Sequence, residues 1–323
     1  MNYSALIKRA FQVTWRYKVL WVFGILLALT SGGGGGGGSN FQFPGRNGTG
    51  GMPSVWGMPN IPGETWAAIA IACCCVLLVL LVVGTIMRYV ATAALFRMVD
   101  QIEAGGDAPT WRQGFRLGWS GRTLRLFLLD LLVGIVFFAV IVVLIALAAA
   151  PLLGLLVDDE VVKGLSIAMT VGLALLVILI LVVAGVIVSV LLQFWQREIV
   201  LADRTVGQAL ASGFHMVRSR LGNVAAMWLL MCGIGLGYGI LFFLVFIPLI
   251  LLAASVGAGL GYALYWATRS IAWALIAGLP PFLIIMLVPT TFVHGIYMVF
   301  QSSTWTLVYR QITGGAGQPA GNG

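Results

Sequence analysis

The sequence predicts an all-α membrane protein, a polytopic bundle of six transmembrane helices. Of its 323 residues, 60% are apolar and only 9% are Asp, Glu, Lys or Arg, whereas about 25% are charged in an ordinary soluble domain. The apolar residues are also gathered into long runs that contain almost no charge. This composition excludes soluble globular, disordered and small disulfide-framework proteins.

Each span is predicted from an apolar run, because a helix needs about 20 apolar residues to cross the hydrocarbon of a bilayer. The runs lack the alternation of apolar and polar residues that membrane β-strands show. Five of them are long and the N-terminal one is short: Val19–Thr30, Trp66–Met87, Leu126–Val157, Leu165–Phe194, Val224–Leu264 and Ile271–Phe300.

The short first run has two interpretations. Basic residues followed by about a dozen apolar residues also describe a secretory signal peptide. We favour a retained span, because Arg16 and Lys18 can extend their charged ends to the membrane surface. The helix would then begin near Phe11 and reach the length of a span.

Residues 1–313 are predicted to form a single integral membrane domain. Within it, residues 31–65 form a glycine-rich outer loop that begins with seven consecutive glycines, Gly32–Gly38. Such a composition is typical of flexible segments. The last residues, 314–323, are predicted to be a disordered tail.

The placement of basic residues predicts the orientation. With six spans and both termini in the cytoplasm, fifteen of the 18 Lys and Arg residues fall on the inner side. Cytoplasmic loops are enriched in these residues, so we expect a multi-pass protein of the bacterial inner membrane, the cell membrane. The run Val224–Leu264 could hold two spans and give seven. We favour one span there, followed by an apolar segment along the outer interface, Ala253–Ala277.

Similar short segments precede the first, third and fifth spans. Each has a small residue, then Phe, a polar residue and an aliphatic residue, with basic residues nearby: Ala10–Trp15, Gly114–Trp119 and Gly213–Arg218. We interpret each as an amphipathic elbow at the inner interface. Because two spans separate successive elbows, the bundle is predicted to contain three parallel two-helix repeats.

Two polar residues inside apolar runs are candidates for function. Asp130 is an intramembrane carboxylate, which is a functional candidate by default. A pair with Arg125 or Arg88 near the inner interface is the simpler interpretation, since an unpaired buried charge is costly. His294 follows Pro289, so we expect a structural role there more than a metal or proton-relay role.

Basic residues on and beside the elbows are candidates for binding anionic lipid headgroups or a partner protein. The same residues also set the topology, and the sequence does not separate the two roles. The candidates are Arg112, Arg116, Arg122, Arg218 and Arg220.

No catalytic, metal or cofactor site is predicted. The chain lacks the motifs of hydrolases, zinc proteins and nucleotide-binding proteins. Cys73, Cys74 and Cys75 point in three directions on a helix and cannot form a compact metal site. We expect no enzymatic activity and no nucleic-acid binding.

Three segments resemble known membrane proteins: Trp15–Lys18 leading into Leu20–Gly24, then Ala94–Asp100, and Gln196–Asp203. In them the chain is similar to uncharacterised bacterial multi-pass proteins and to the membrane domain attached to some glycerophosphoryl diester phosphodiesterases. The resemblance implies a six-span bundle of undefined role. It does not imply phosphodiesterase activity, because the catalytic domain is not part of this sequence.

The sequence therefore favours an inner-membrane scaffold or accessory subunit that binds membrane lipids or another membrane protein. The alternative is a small carrier or channel with a path among the three repeats, near Asp130 and His294. The oligomeric state is left open.

Overall fold

Helices account for the secondary structure of the computed structural model, which describes residues 3–30, 63–106, 109–156 and 159–314. Within these residues there are nine α-helices, and a 3-10 turn over Ala150–Leu156 follows the fifth. The helices are α1 Tyr3–Arg16, α2 Val19–Thr30, α3 Gly63–Glu103, α4 Trp111–Gly118, α5 Gly121–Ala149, α6 Glu160–Leu201, α7 Val206–Ser219, α8 Leu221–Thr268 and α9 Ile271–Gly314.

Five of these helices, α3, α5, α6, α8 and α9, are long and apolar enough to cross a membrane. The pair α1 and α2 supplies a sixth candidate span that is broken by a bend. The most apolar stretches of the five long helices are largely exposed on the protein surface, with at most 17% of any one stretch buried. Exposed apolar side chains are what a helix presents to acyl chains. The predicted fold class, an all-α polytopic membrane bundle, is confirmed.

The predicted elbows lie in the short helices α1, α4 and α7. In each elbow the small residue, Ala10, Gly114 or Gly213, is buried. By contrast, Phe11 is 56% exposed and Phe214 is 52% exposed. In α4 the corresponding Phe115 is half-buried and packs on Phe23 of the core. Only α1 and α7 therefore present the Phe of the elbow to their surroundings, which is the pattern of an interfacial helix.

The first span does not begin near Phe11 as expected. The chain bends by 96° between α1 and α2, and the indole of Trp21 donates a hydrogen bond to the carbonyl of Thr14 at 2.8 Å. That carbonyl belongs to the last turn of α1, where no intrahelical donor is available. The side chain of Trp21 thus holds the bend, and only α2 continues in the direction of a span.

The expected outer segment over Ala253–Ala277 is also different in the structure. Helix α8 continues without a break to Thr268, and α9 begins at Ile271. The turn between them uses Arg269, whose φ of 54° lies in the left-handed region. Because α8 is one helix of 48 residues, the structure does not divide the run into two spans. The two helices form an antiparallel hairpin, with Gly257 facing Gly278 across it.

Most of the predicted glycine-rich loop and of the tail lies outside the described residues. At their borders, α3 begins at Gly63 and α9 ends at Gly314. Helices α3 and α9 both continue past the ends of their apolar runs, Trp66–Met87 and Ile271–Phe300.

The chain forms two compact units. The central unit, named for its place in the chain, comprises Trp119–Trp228 and Trp305–Gly323, and the flanking unit comprises Asn2–Gly118 and Leu229–Thr304. One boundary falls in the turn between α4 and α5, and the other two fall inside α8 and α9. The assignment of residues 1–313 to one membrane domain stays a prediction.

The core of the flanking unit lies where α1, α2, α3 and α4 meet. Leu20 and Phe23 of α2 pack with Leu95 and Met98 of α3, and all four side chains are fully buried. Helix α4 approaches this core closely because Gly114 has no side chain: a Cβ there would lie 2.7 Å from the sulfur of Met98. Arg97 of α3 donates to the carbonyl of Leu117 at 2.9 Å, where a cation stabilises the end of helix α4.

Two glycines allow α2 and α9 to cross in contact. A Cβ on Gly24 would collide with the carbonyl oxygen of Gly295, and a Cβ on Gly295 would lie 2.8 Å from the backbone nitrogen of Ile25. Small residues at helix crossings allow this close backbone approach in membranes. Gly84 in α3, by contrast, faces open space.

We predict that Gly24→Ala lowers the melting temperature of the protein in detergent, because the α2 and α9 backbones must separate to admit the methyl group. Gly84→Ala is the matched control. It should leave the melting temperature unchanged or raise it, since alanine is favoured over glycine in a helix by about 0.5–1 kcal/mol. Equal effects of the two substitutions would contradict the proposed crossing.

Candidate functional site

The most buried polar site of the central unit is built around the carboxylate of Glu198, whose side chain is 2% exposed. Its Oε1 accepts a hydrogen bond from the hydroxyl of Tyr309 at 2.9 Å. Its Oε2 accepts from the hydroxyl of Ser212 at 2.9 Å and from Nε of Arg204 at 3.0 Å. Glu198 therefore joins α6, α7, α9 and the turn after α6 through one charged group. Hydrogen bonds to an ionised group are among the stronger ones in proteins.

Next to Glu198, the guanidinium of Arg197 is also buried, with 1% of the residue exposed. It donates to the hydroxyl of Thr306 in α9 at 3.2 Å and to the side-chain oxygen of Gln193 one turn earlier in α6 at 2.9 Å. A second Arg197 bond goes to the backbone carbonyl of Gln193. A buried guanidinium has to be satisfied by such acceptors, because it cannot give up its proton.

A second ionic cluster surrounds Asp203, in the turn between α6 and α7. Asp203 has a φ of 56°, a conformation that Asp adopts more readily than most residues. Its carboxylate accepts from Arg122 at 3.0 Å and from Arg125 at 3.1 Å. Arg122 also donates to the carbonyl of Val200 at 3.0 Å, in the last turn of α6. The start of α5 is thereby bound to the end of α6.

The sequence does not predict the Glu198 site as a unit. Arg197 is one of the basic residues predicted on the inner side, and Arg197 and Glu198 both lie in the segment Gln196–Asp203 that resembles other membrane proteins. The available signal was the placement of two opposite charges between Phe194–Trp195 and Ile199–Leu201. Charged residues that are flanked by apolar residues on both sides can lie on a buried or on an exposed face of the helix. The hydropathy pattern does not reveal which of the two faces carries them.

Asp130, the intramembrane carboxylate candidate, lies on α5 in the central unit. Its Oδ1 accepts a hydrogen bond from the side-chain amide of Gln196 on α6 at 3.0 Å. Arg125, one of the partners considered for it, binds Asp203. Asp130 thus takes part in a polar contact between neighbouring helices, which is the usual role of such groups in a membrane interior.

His294, the second candidate, lies on α9 in the flanking unit and is 94% buried, with 6% exposed. Its Nδ1 is 3.3 Å from the hydroxyl of Tyr238 on α8. The ring of Tyr238 stacks on that of Tyr297, with ring centroids 4.0 Å apart. Nε2 of His294 is buried without a hydrogen-bond partner in the described part of the chain. The hydroxyl of Thr290, the residue after Pro289, donates to the carbonyl of Met286.

The five basic candidates fall into two groups. Arg112, Arg116 and Arg218 are exposed, whereas Arg122 and Arg220 are half-buried. Arg122 is bound to Asp203 and Val200. Arg220 ends α7, with its backbone N–H donating to the carbonyl of Val217. The side chain of Arg122 is therefore engaged within the protein, whereas Arg112, Arg116 and Arg218 present exposed charges.

The described residues contain no group of three His, Cys, Asp or Glu side chains placed to hold a metal ion. Cys73, Cys74, Cys75 and Cys232 are exposed and form no disulfide. In the residues that the structure describes, the polar clusters are consistent with helix–helix contacts, since their groups bind each other across neighbouring helices.

A family model described as "Family of unknown function (DUF7544)" matches residues 7–309. The chain belongs to this family. The match covers every described helix except the first residues of α1 and the end of α9. No curated protein and no solved structure matched the DUF7544 chain. The comparisons show no link between this DUF7544 protein and the phosphodiesterase membrane domain, whose resemblance rested on short aromatic and basic segments that flank spans in many membrane proteins.

We predict that Tyr309→Phe destabilises the DUF7544 protein by about 1–3 kcal/mol, because a buried carboxylate loses one of its donors. The measurement is thermal unfolding of the purified protein in detergent. Tyr262→Phe is the matched control: its hydroxyl accepts from Trp266 at 2.9 Å on an exposed face, so its loss should change the stability by less than about 0.5 kcal/mol. Equal melting temperatures of the two variants would contradict a stabilising role of the Glu198 site.

Proposed function

We propose that this protein binds anionic lipids, or a partner protein, through the basic short helices on the inner side of a bacterial cell membrane. It would act as a scaffold or accessory subunit. One observation supports this proposal above the others: exposed arginines stand beside exposed aromatic side chains on the short helices of an otherwise apolar chain.

On α4, Arg112 lies over the ring of Trp111, with 5.2 Å between its guanidinium carbon and the ring centroid. Trp111 is 54% exposed and the neighbouring Trp119 is 70% exposed. On α7, Phe214 is half exposed and Arg218 lies one turn further along. Tryptophan prefers the headgroup level of a bilayer, and each nearby Lys or Arg adds about 1 kcal/mol of attraction to an anionic leaflet.

The order of the elements supports a common side for these helices. The short helix α2 and the long helix α3 separate α1 from α4, and the long helices α5 and α6 separate α4 from α7. If α2 crosses the bilayer as each long helix does, the chain returns to the same side every time. The three short helices would then all lie on the same side of the bilayer, as three parallel repeats require.

The carrier or channel alternative has one observation in its favour, the buried Nε2 of His294 without a partner. Asp130, in contrast, is hydrogen-bonded to Gln196, as expected of a residue that joins two helices. Proton flux into proteoliposomes that falls on both Asp130→Asn and His294→Ala would favour the carrier. Unchanged flux in both variants would leave the scaffold as the better account.

The proposed orientation predicts which single cysteines are labelled from outside the cell. In a background without the four native cysteines, we expect a cysteine replacing Thr268 to react with a membrane-impermeant maleimide in intact cells. A cysteine replacing Gln12 should react only after permeabilisation, because α1 would face the cytoplasm. Both positions are exposed in the structure, so a difference in labelling reports the side of the membrane. The reverse labelling pattern would overturn the orientation.

We predict that Arg112→Gln with Arg116→Gln weakens retention of an anionic lipid. The protein is released from nanodiscs of POPC and POPG and its bound lipids are counted by native mass spectrometry. Two lost charges correspond to about 2 kcal/mol, or about 30-fold in affinity.

The matched control for that experiment removes two basic residues near the other ends of the spans, Lys163→Gln with Arg269→Gln. Lys163 follows the acidic residues Asp159 and Glu160, and Arg269 stacks on Trp266. We expect a small effect, because neither position joins a basic cluster. Equal losses of POPG in the two double variants would contradict binding by the short helices, and no preference for POPG over POPC in the native protein would refute the proposed function.

A further inference from the structure

We propose that α1 forms a site for one anionic phospholipid, with the phosphate between Arg9 and Arg16 and an acyl chain along Trp21 and Phe292. This inference rests on the proposed function and names the ligand class and its place. The described part of the flanking unit has a groove of about 440 Å³ on α1, lined by Arg9, Phe11, Gln12, Trp15, Arg16 and their neighbours.

The groove has a polar side suited to a phosphate. Arg9, Gln12 and Arg16 stand at positions i, i+3 and i+7, so they share one face of α1. The Nε edge of Arg9 binds Glu103 at 2.9 Å, yet 49% of the Arg9 side chain is exposed. Arg16 is exposed and makes no ion pair among the described residues; its guanidinium carbon is 5.9 Å from the centroid of the Tyr17 ring. Lys8 and Lys18 are also exposed, so the basic residues of this segment outnumber the one carboxylate, that of Glu103, with which Arg9 pairs.

The other side of the groove is aromatic and leads away from the charges. The rings of Phe11 and Trp15 stack with centroids 5.8 Å apart, and Trp15 meets Trp21 edge-on at 5.7 Å. Trp21 in turn meets Phe292 of α9 at 5.6 Å. An aromatic path therefore runs from the charged face of α1 onto the apolar helix α2 and the candidate membrane span α9.

The bend between α1 and α2 orients the charged face and the aromatic path as the headgroup and acyl chain of a phospholipid are oriented in a bilayer. Because α1 and α2 meet at 96°, α1 lies along the membrane surface when α2 points into the bilayer. The charged groups are then at headgroup level, and Trp21 and Phe292 lie deeper. A free phosphate ion would use only the arginines, whereas a phospholipid matches the charges and the aromatic path together. Phe292 is 42% exposed and is open to an acyl chain.

The test counts POPG molecules retained by the full chain after release from nanodiscs of POPC and POPG. We expect Arg16→Gln to remove one POPG from the number that the native protein retains, with the affinity of that site lowered at least about fivefold, as one cation at an anionic surface corresponds to about 1 kcal/mol. Arg269→Gln, which replaces an exposed arginine of the turn between α8 and α9, is the matched control and should leave the number of retained POPG molecules unchanged. Arg16→Lys, which keeps the charge but lacks the planar fork of donors, should fall between the two.

A second variant tests the apolar part of the site. Phe292→Ala should weaken retention of POPG but leave binding of a short-chain phosphatidylglycerol unchanged, because only the long chain reaches Phe292. Displacement of POPG by millimolar inorganic phosphate would show a site for a free anion and overturn the lipid assignment.

The possible failures are distinguishable. One outcome is that the native protein and Arg16→Gln both prefer POPG, whereas the α4 double variant does not. In that case the proposed function stands and the α1 site is refuted. If the native protein shows no preference for POPG, the proposed function and the α1 site fail together. Each variant's melting temperature is compared with that of the native protein, and Arg16→Lys replaces Arg16→Gln if the latter fails to fold.

Discussion

The arrangement of the central unit depends on one buried carboxylate. Glu198 on α6 is bound by Ser212 of α7, Tyr309 of α9 and Arg204 of the intervening turn. Hydrophobic burial offers little to fix helices whose surroundings are as apolar as their side chains, so packing and hydrogen bonds have to define the contacts in a membrane. The carboxylate of Glu198 defines such contacts, because it accepts hydrogen bonds from three different segments. Each segment can donate its hydrogen bond only when it lies in one position relative to α6.

Small residues have the corresponding role in the flanking unit. Gly114 lets α4 approach the core around Phe23 and Met98, and Gly24 with Gly295 lets α2 meet α9. Neither contact depends on charge, and both depend on the absence of a side chain. Close contact at a glycine also occurs in the central unit, where a Cβ on Gly213 would collide with Cδ1 of Trp195. Satisfied ionic groups and close contacts at glycines thus both hold helices that expose most of their apolar surface.

The sequence was sufficient for the long helices and for the elbows, because both are encoded locally by apolar runs and by a small residue next to Phe. It was not sufficient for the bend at Tyr17, which depends on the Trp21 indole binding the carbonyl of Thr14. Nor did it reveal the site at Glu198, since Tyr309 lies 111 residues away. Local patterns report which residues are apolar, but the partner of a buried charge is determined by tertiary structure. Asp130 was recognised as a polar intramembrane residue, and its contact with Gln196 was not.

Helix α8 has a geometric consequence for the bilayer around it. The uncharged stretch from Val224 to Leu264 would be about 60 Å long, at 1.5 Å per residue, against a hydrocarbon thickness of about 30 Å. To hide this length completely, the helix would have to tilt by about 60°, well beyond the usual range of up to about 40°. Hydrophobic mismatch of this size favours thicker membranes and local thickening of the lipid around the hairpin, so the lipids next to α8 are expected to differ in chain length from those of the bulk bilayer.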